Sequence, residues 1–250
     1  MLELKDAVHR YRSRNLDGGP GVGPISMNIA EGDFMIITGA NGSGKSTLLK
    51  LIDGSLPLQS GEIFIRGCRS HEMNQREIRK EIARVFQDPA LGTVSDFSVL
   101  ENFRMASLRG RGFNLWGFAD KSFRLDVQSY LKLAGRGFDE LLDRNVSELS
   151  GGQRQVLTVL MNLYKRPGLL LLDEPTAALD ASMSKKLLEI LEQINRELKI
   201  TMVMISHDLR AATTSGNRLI IMKDGLITDE ISGERKKKLS AESLYGILHP

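Results

Sequence analysis

The sequence is short of cysteine, of clustered histidine and of long apolar runs, and each shortage closes off a class of protein. One cysteine, Cys68, stands among 250 residues, so no internal disulfide staples the fold and a reducing compartment is its expected home. No stretch reaches the roughly 18 consecutive apolar residues of a membrane-crossing helix. The opening MLELKDAVHRYR also lacks the apolar core of a secretion signal. His9, His71, His207 and His249 lie scattered, without zinc-ligand spacing. A net charge of only +3 gives no reason to expect nucleic acid as a partner. Internal repeats and low-complexity tracts are absent too, apart from GGPGVG at 18–23, which reads as a mobile turn between strands.

What is present is ordinary for a globular chain: 41% hydrophobic and 26% charged residues. A chain of this length buries roughly three quarters of its unfolded surface, enough for a sizeable core. LELKDAVHRY, GPISMNIAEG and GEIFIRG alternate in part and are separated by Gly and Asp turns, which predicts an antiparallel side sheet. FMIIT, LLLLD and TMVMIS are compact apolar runs, the pattern of central parallel strands covered on both faces. RLIIMKDGLITDEI reads as a hairpin around Asp224-Gly225. From Ser98 to Leu149 the spacing becomes helical, clearest in LENFRMASL and RLDVQSYLKLAG. The expectation is one α/β domain spanning 1–250: a core from 1–89 and 151–250 with a mixed central sheet, and a mainly helical subdomain over 90–150.

Two motifs carry chemistry. Gly39-Ala40-Asn41-Gly42-Ser43-Gly44-Lys45-Ser46 fits GxxxxGK[ST] and lies between a predicted strand and a predicted helix. Its glycines let the backbone curl N–H groups around phosphate oxygens, and Lys45 adds a point charge near the terminal phosphates. Ser46 offers a hydroxyl to Mg²⁺, and Thr47 either caps the helix or contacts the neighbouring phosphate. The second motif is Leu169-Leu170-Leu171-Leu172-Asp173-Glu174-Pro175. A buried strand delivers Asp173 to the carboxyl edge of the sheet, where open α/β sheets bind ligands. Asp173 is placed to hold the Mg²⁺ shell through water, and Glu174 to polarise a water in line with the γ-phosphate. Without the phosphate loop beside them, the two acids would read equally well as the start of a polar loop.

A third stretch, Leu149-Ser150-Gly151-Gly152-Gln153, lies about twenty residues before that acidic strand end. The order of the three motifs resembles the ATP-binding subunits of ABC transporters over nearly the whole chain. The resemblance implies that Gln87 in RVFQDP touches Mg²⁺ or the attacking water. It likewise implies that Ala178-Leu179-Asp180 is the D-loop, that His207 contacts the γ-phosphate, and that Tyr11 stacks on adenine; Tyr11 as simple packing stays open. In such proteins two chains pair head to tail, and Ser150, Gly151, Gly152 and Gln153 close over ATP bound by the partner.

The implied cofactors are ATP and Mg²⁺, and the implied partners are a second copy or similar subunit, separate membrane permease subunits docking near DPALGTVSDFSVLENF, and indirectly a solute-binding protein. The implied location is peripheral, at the cytoplasmic face of the membrane. QDPALGT, LSGGQRQ and GNRLIIMKDG further resemble importers of tryptophan, tyrosine or related small solutes. Export of lipid, lipoprotein or peptide, and a soluble ABC ATPase with no transport role, remain as alternatives. The basic, aromatic stretch at 107–121 is either a partner or lipid contact or a loop on its own helices, and ERKKKLS reads as a solvated charge run.

Overall fold

A computed structural model describes residues 1–11, 21–108, 121–135 and 137–249. Within these residues the chain runs β1 (Leu2–Arg10), β2 (Gly21–Ile29), β3 (Phe34–Thr38), α1 (Lys45–Ile52), β4 (Ser60–Ile65) and β5 (Cys68–Arg69). It continues through α2 (Gln75–Glu81), β6 (Ile82–Val85), α3 (Val99–Ser107), α4 (Lys121–Leu131), α5 (Gly151–Leu163) and β7 (Leu169–Asp173). It closes with α6 (Ala181–Leu198), β8 (Thr201–Ile205), α7 (Leu209–Thr214), β9 (Arg218–Lys223), β10 (Leu226–Ser232), α8 (Gly233–Lys237) and α9 (Ala241–Leu248).

The described strands form two sheets. One is antiparallel in the order β2-β1-β4-β5, and the other has the order β10-β9-β3-β8-β7-β6. In the second sheet β9, β3, β8, β7 and β6 are parallel, and β10 adds an antiparallel edge through the Asp224-Gly225 hairpin. The sequence reading holds for both sheets but says nothing of β6, whose four residues follow directly on α2 and whose Arg84 interrupts the apolar run.

The unbroken apolar strands follow from burial on both faces. Phe34 and Ile36, Leu170 and Leu172, and Met202 and Met204 join one core with α3, α4, α5 and α6. The alternate residues Met35 and Ile37, Leu169 and Leu171, and Val203 and Ile205 join the other core, with α1 and the antiparallel sheet. A strand wetted on one face would show period-2 alternation; these have no wet face.

Two expectations need correcting. GGPGVG is not wholly a turn: Gly21, Val22 and Gly23 belong to β2, with Gly21 paired to Arg10, while 18–20 lie outside the described residues. ERKKKLS is not wholly solvated. Lys236 is only 4% exposed, and its Nζ donates to the carbonyls of Ala212, Thr213 and Ser215 at 2.5, 3.1 and 3.0 Å. These are the outgoing carbonyls of α7, which a helix end leaves without intrahelical partners. Most of the 107–121 stretch, including Arg109, Arg111 and Trp116, lies outside the described residues.

Candidate active site

The phosphate loop sits between β3 and α1. Gly44 takes the N-cap position of α1 with φ 96°, a left-handed conformation that glycine adopts without strain. A Cβ on Gly39 would stand 2.1 Å from the Met222 carbonyl oxygen, so only glycine fits there too. The cap is therefore Gly44 and not Thr47, whose hydroxyl instead lies 3.3 Å from the Tyr11 hydroxyl. Lys45 is buried, and its Nζ donates to the carbonyls of Gly39 and Ala40 at 2.9 and 2.8 Å. Burial holds its ammonium below the usual lysine range, against the opposing pull of the Glu174 and Asp173 charges.

The carboxyl edge of the sheet brings the acidic residues to the same place. β7 ends at Asp173, whose Oδ1 accepts from the Ser46 hydroxyl at 3.1 Å. The next residue, Glu174, has φ 51°, a left-handed backbone that costs a non-glycine residue of order 1–3 kcal/mol. Its Oε1 lies 2.7 Å from Nε2 of His207, two residues beyond the end of β8. The Gln87 amide donates to its Oε2 at 3.4 Å. Two residues far apart in sequence, Gln87 and His207, thus converge on the Glu174 carboxylate.

A cavity of about 360 Å³ opens at this junction, walled by Tyr11, Gly21, Asn41, Gly42, Gly44, Lys45, Ser46, Thr47, Glu174 and His207. The Tyr11 ring stands at its rim, 38% exposed and edge-on to His9. Ser46 and Asp173 present hard oxygen donors side by side, as Mg²⁺ requires. Among the described residues no cluster of three or more His, Cys, Asp or Glu side chains could hold a metal. The fit is thus to an ion that keeps its waters and takes further oxygens from substrate phosphates.

Other expected residues lie elsewhere. Ser150 is the N-cap of α5, in a capping box: its hydroxyl accepts from the Gln153 N–H at 3.2 Å and the Gln153 side chain accepts from the Ser150 N–H at 3.0 Å. Neither these nor Gly151 and Gly152 wall the phosphate-loop cavity. A Cβ on Gly151 would meet nothing within 4 Å, and Ser150 is exposed. Asp180 caps α6, accepting from Ser182 and Met183 N–H groups, both at 2.9 Å. Sequence reasoning missed Arg84, whose guanidinium pairs with Asp173 Oδ2 at 2.7 Å.

A second cavity of about 340 Å³ follows Gln87. It is walled by Arg84, Phe86, Leu91, Gly92, Thr93, Val94, Met105 and Met161, among others. Leu91 is 70% exposed at its edge, with Val94, Phe97 and Met105 also uncovered.

A glycine-rich loop between a parallel strand and a helix, with paired acids at the end of another parallel strand of the same sheet, defines a P-loop nucleoside triphosphatase. The family described as ABC transporter matches residues 22–177. The tyrosine transport ATP-binding protein of Clostridioides difficile (strain R20291) is 36% identical over 247 residues, covering 98% of this chain and 97% of its own. A solved ATP-binding cassette, dimeric in a post-hydrolysis state with ADP and Pi, superposes with a TM-score of 0.80 at 29% identity, covering 93% and 98% of the two chains. The cassette cbiO1 of Clostridium perfringens, part of the cbiONQ transporter complex, gives 0.81 at 27% identity over 99% and 93%. The chain belongs to the ABC transporter family, as an ATP-binding subunit and an ATPase.

Proposed function

We propose that two copies of the chain pair head to tail around two ATP molecules and that the cycle of pairing and hydrolysis drives separate membrane permease subunits. The observation that carries this reading is the exposed turn at Ser150-Gly151-Gly152. It offers the free N–H groups and positive dipole end of α5, a 13-residue helix, yet it walls no part of the cavity at its own Lys45. A helix end suited to an anion but set apart from its own chain's phosphate loop suits a triphosphate held by another chain. That a solved relative is dimeric with ADP and Pi bound supports pairing of two chains.

Within each site Lys45 and the loop N–H groups hold the phosphates, and Tyr11 stacks on the adenine. Ser46, Asp173 and Gln87 are the residues that would hold Mg²⁺, Asp173 through water. Magnesium when bound neutralises charge on the phosphate oxygens. Glu174 takes the proton of the attacking water, while His207 and Gln87 orient its carboxylate and His207 faces the γ-phosphate. Asp180 and Gln153 complete the partner's side. Loss of the γ-phosphate removes the contact shared by the two chains, and the pair opens.

The load docks in the groove of Phe86, Leu91, Val94 and Met105. Its apolar rim directly follows Gln87, as a permease contact coupled to the site would require. A small, amino-acid-like solute delivered inward by a solute-binding protein is the favoured cargo, supported by the tyrosine transport relative and by a spermidine/putrescine import protein of Borreliella afzelii at 31% identity. Such a subunit sits peripherally at the cytoplasmic face; no helix among the described residues is long and apolar enough to cross a membrane.

The test mixes a Lys45→Ala chain with a Ser150→Arg chain. Each alone is expected to be nearly inactive, and the mixture recovers one complete site per pair. A mixture no more active than either variant would refute the shared site.

A further inference from the structure

Arg84 lies on the edge strand β6, whose other residues, Ile82, Ala83 and Val85, are buried and apolar. An arginine side chain 8% exposed needs counter-charges, because an unpaired buried charge is costly. It has two. Nη2 donates to Asp173 Oδ2 at 2.7 Å and Nη1 to Asp53 Oδ2 at 2.8 Å, both aspartates being 12% exposed at the side chain. Arg84 Cζ lies over the Phe86 ring, 5.1 Å from its centroid.

The geometry is that of a clamp. Asp53 is the C-cap of α1, the helix that begins at Lys45 and Ser46, and Asp173 ends β7. Arg84 therefore ties the far end of the phosphate-loop helix to the acidic strand end. With Oδ2 held by Arg84 and Oδ1 by Ser46, the carboxylate of Asp173 has one rotamer, and Oδ1 is the oxygen turned toward the serine hydroxyl. A lysine cannot copy this, since one ammonium on a flexible stem does not span two carboxylates as a planar fork does.

We propose that Arg84 is a positioning residue that, anchored by Asp53, fixes the Asp173 carboxylate for the hydrated magnesium ion of the nucleotide. This rests on the reading of Ser46 and Asp173 as the magnesium side of the site.

Purified wild type, Arg84→Met, Arg84→Lys and Asp53→Asn are titrated with a fluorescent ATP analogue, in EDTA and at a series of Mg²⁺ concentrations, with turnover followed at the same concentrations. For Arg84→Met the expectation is unchanged affinity in EDTA, within about twofold, and a 10- to 100-fold rise in the Mg²⁺ needed for half-maximal binding and turnover, the usual effect of removing an outer-shell partner. Arg84→Lys and Asp53→Asn shift the same way by less, and they carry the test should Arg84→Met fail to fold.

An unchanged Mg²⁺ requirement overturns the proposal. So does a lowered one, which would make the arginine a mere competitor of the cation, and so does an equal loss of affinity in EDTA and Mg²⁺, the mark of a purely structural role. Binding by the wild type that ignores Mg²⁺ would instead bring down the underlying reading of Ser46 and Asp173.

Discussion

Glu174 is one residue past a buried strand, has φ 51°, and shares the cavity of the phosphate loop. The strain is tolerated because His207 and Gln87 hold both of its oxygens. Strain combined with convergent partners marks a group held for chemistry. With Glu174 as the proposed base, Glu174→Gln keeps the shape but takes no proton, so ATP should still bind while turnover falls by roughly 10²- to 10⁴-fold. Steady-state hydrolysis beside equilibrium ATP binding measures this, and near-normal turnover would take Glu174 out of the role. Lys45, Ser46, Asp173 and Glu174 were legible in sequence because the phosphate loop and the strand end are local patterns. Arg84 was not. Its partners stand 31 and 89 residues away, and an arginine in IARVF looks like any polar interruption of an edge strand.

At the scale of the element, α7 shows how a charge run hides a structural part. Asp208 caps its start, accepting from Arg210 N–H at 2.8 Å directly after His207, and Lys236 of α8 closes its end. Lys236→Met leaves the buried carbonyls of Ala212, Thr213 and Ser215 without their ammonium. The expected loss is about 1–3 kcal/mol, a fall of roughly 2–12 °C in Tm by calorimetry for a chain of this size. Burial also pushes the Lys236 ammonium down to about 8, against the pull of Glu192. Between that value and the ordinary lysine pKa of roughly 10.4, the unfolded chain binds more protons than the folded one, so stability gains from this group as pH rises through the window. Denaturant unfolding at a series of pH values should show that gain in the wild type and not in Lys236→Met. A single ERKKK segment offers no sign of which lysine turns inward, since that depends on where α7 ends in space.

At the scale of the whole molecule, the turn at Ser150-Gly151-Gly152 and the apolar groove beside Gln87 lie uncovered in the single chain. The first suits another copy and the second a different protein. Leu91→Asp with Val94→Asp should weaken copurification with the permease by at least tenfold, while hydrolysis by the isolated subunit stays within about twofold. Each added carboxylate would have to be desolvated against an apolar partner. Undiminished copurification would move the docking site elsewhere.

The sequence by itself determined the parallel core strands, the antiparallel side sheet, the helical stretch after Gln87 and the nucleotide motifs. Each of these is written in neighbouring residues, as hydrophobic period or as loop chemistry. Only the tertiary structure decided that Gln87 and His207 meet on Glu174, that Arg84 bridges Asp53 and Asp173, and that Lys236 is buried. Those are contacts between elements, set by the order of strands in the sheet and by which helix end faces which side chain. Local spacing carries no record of such distances.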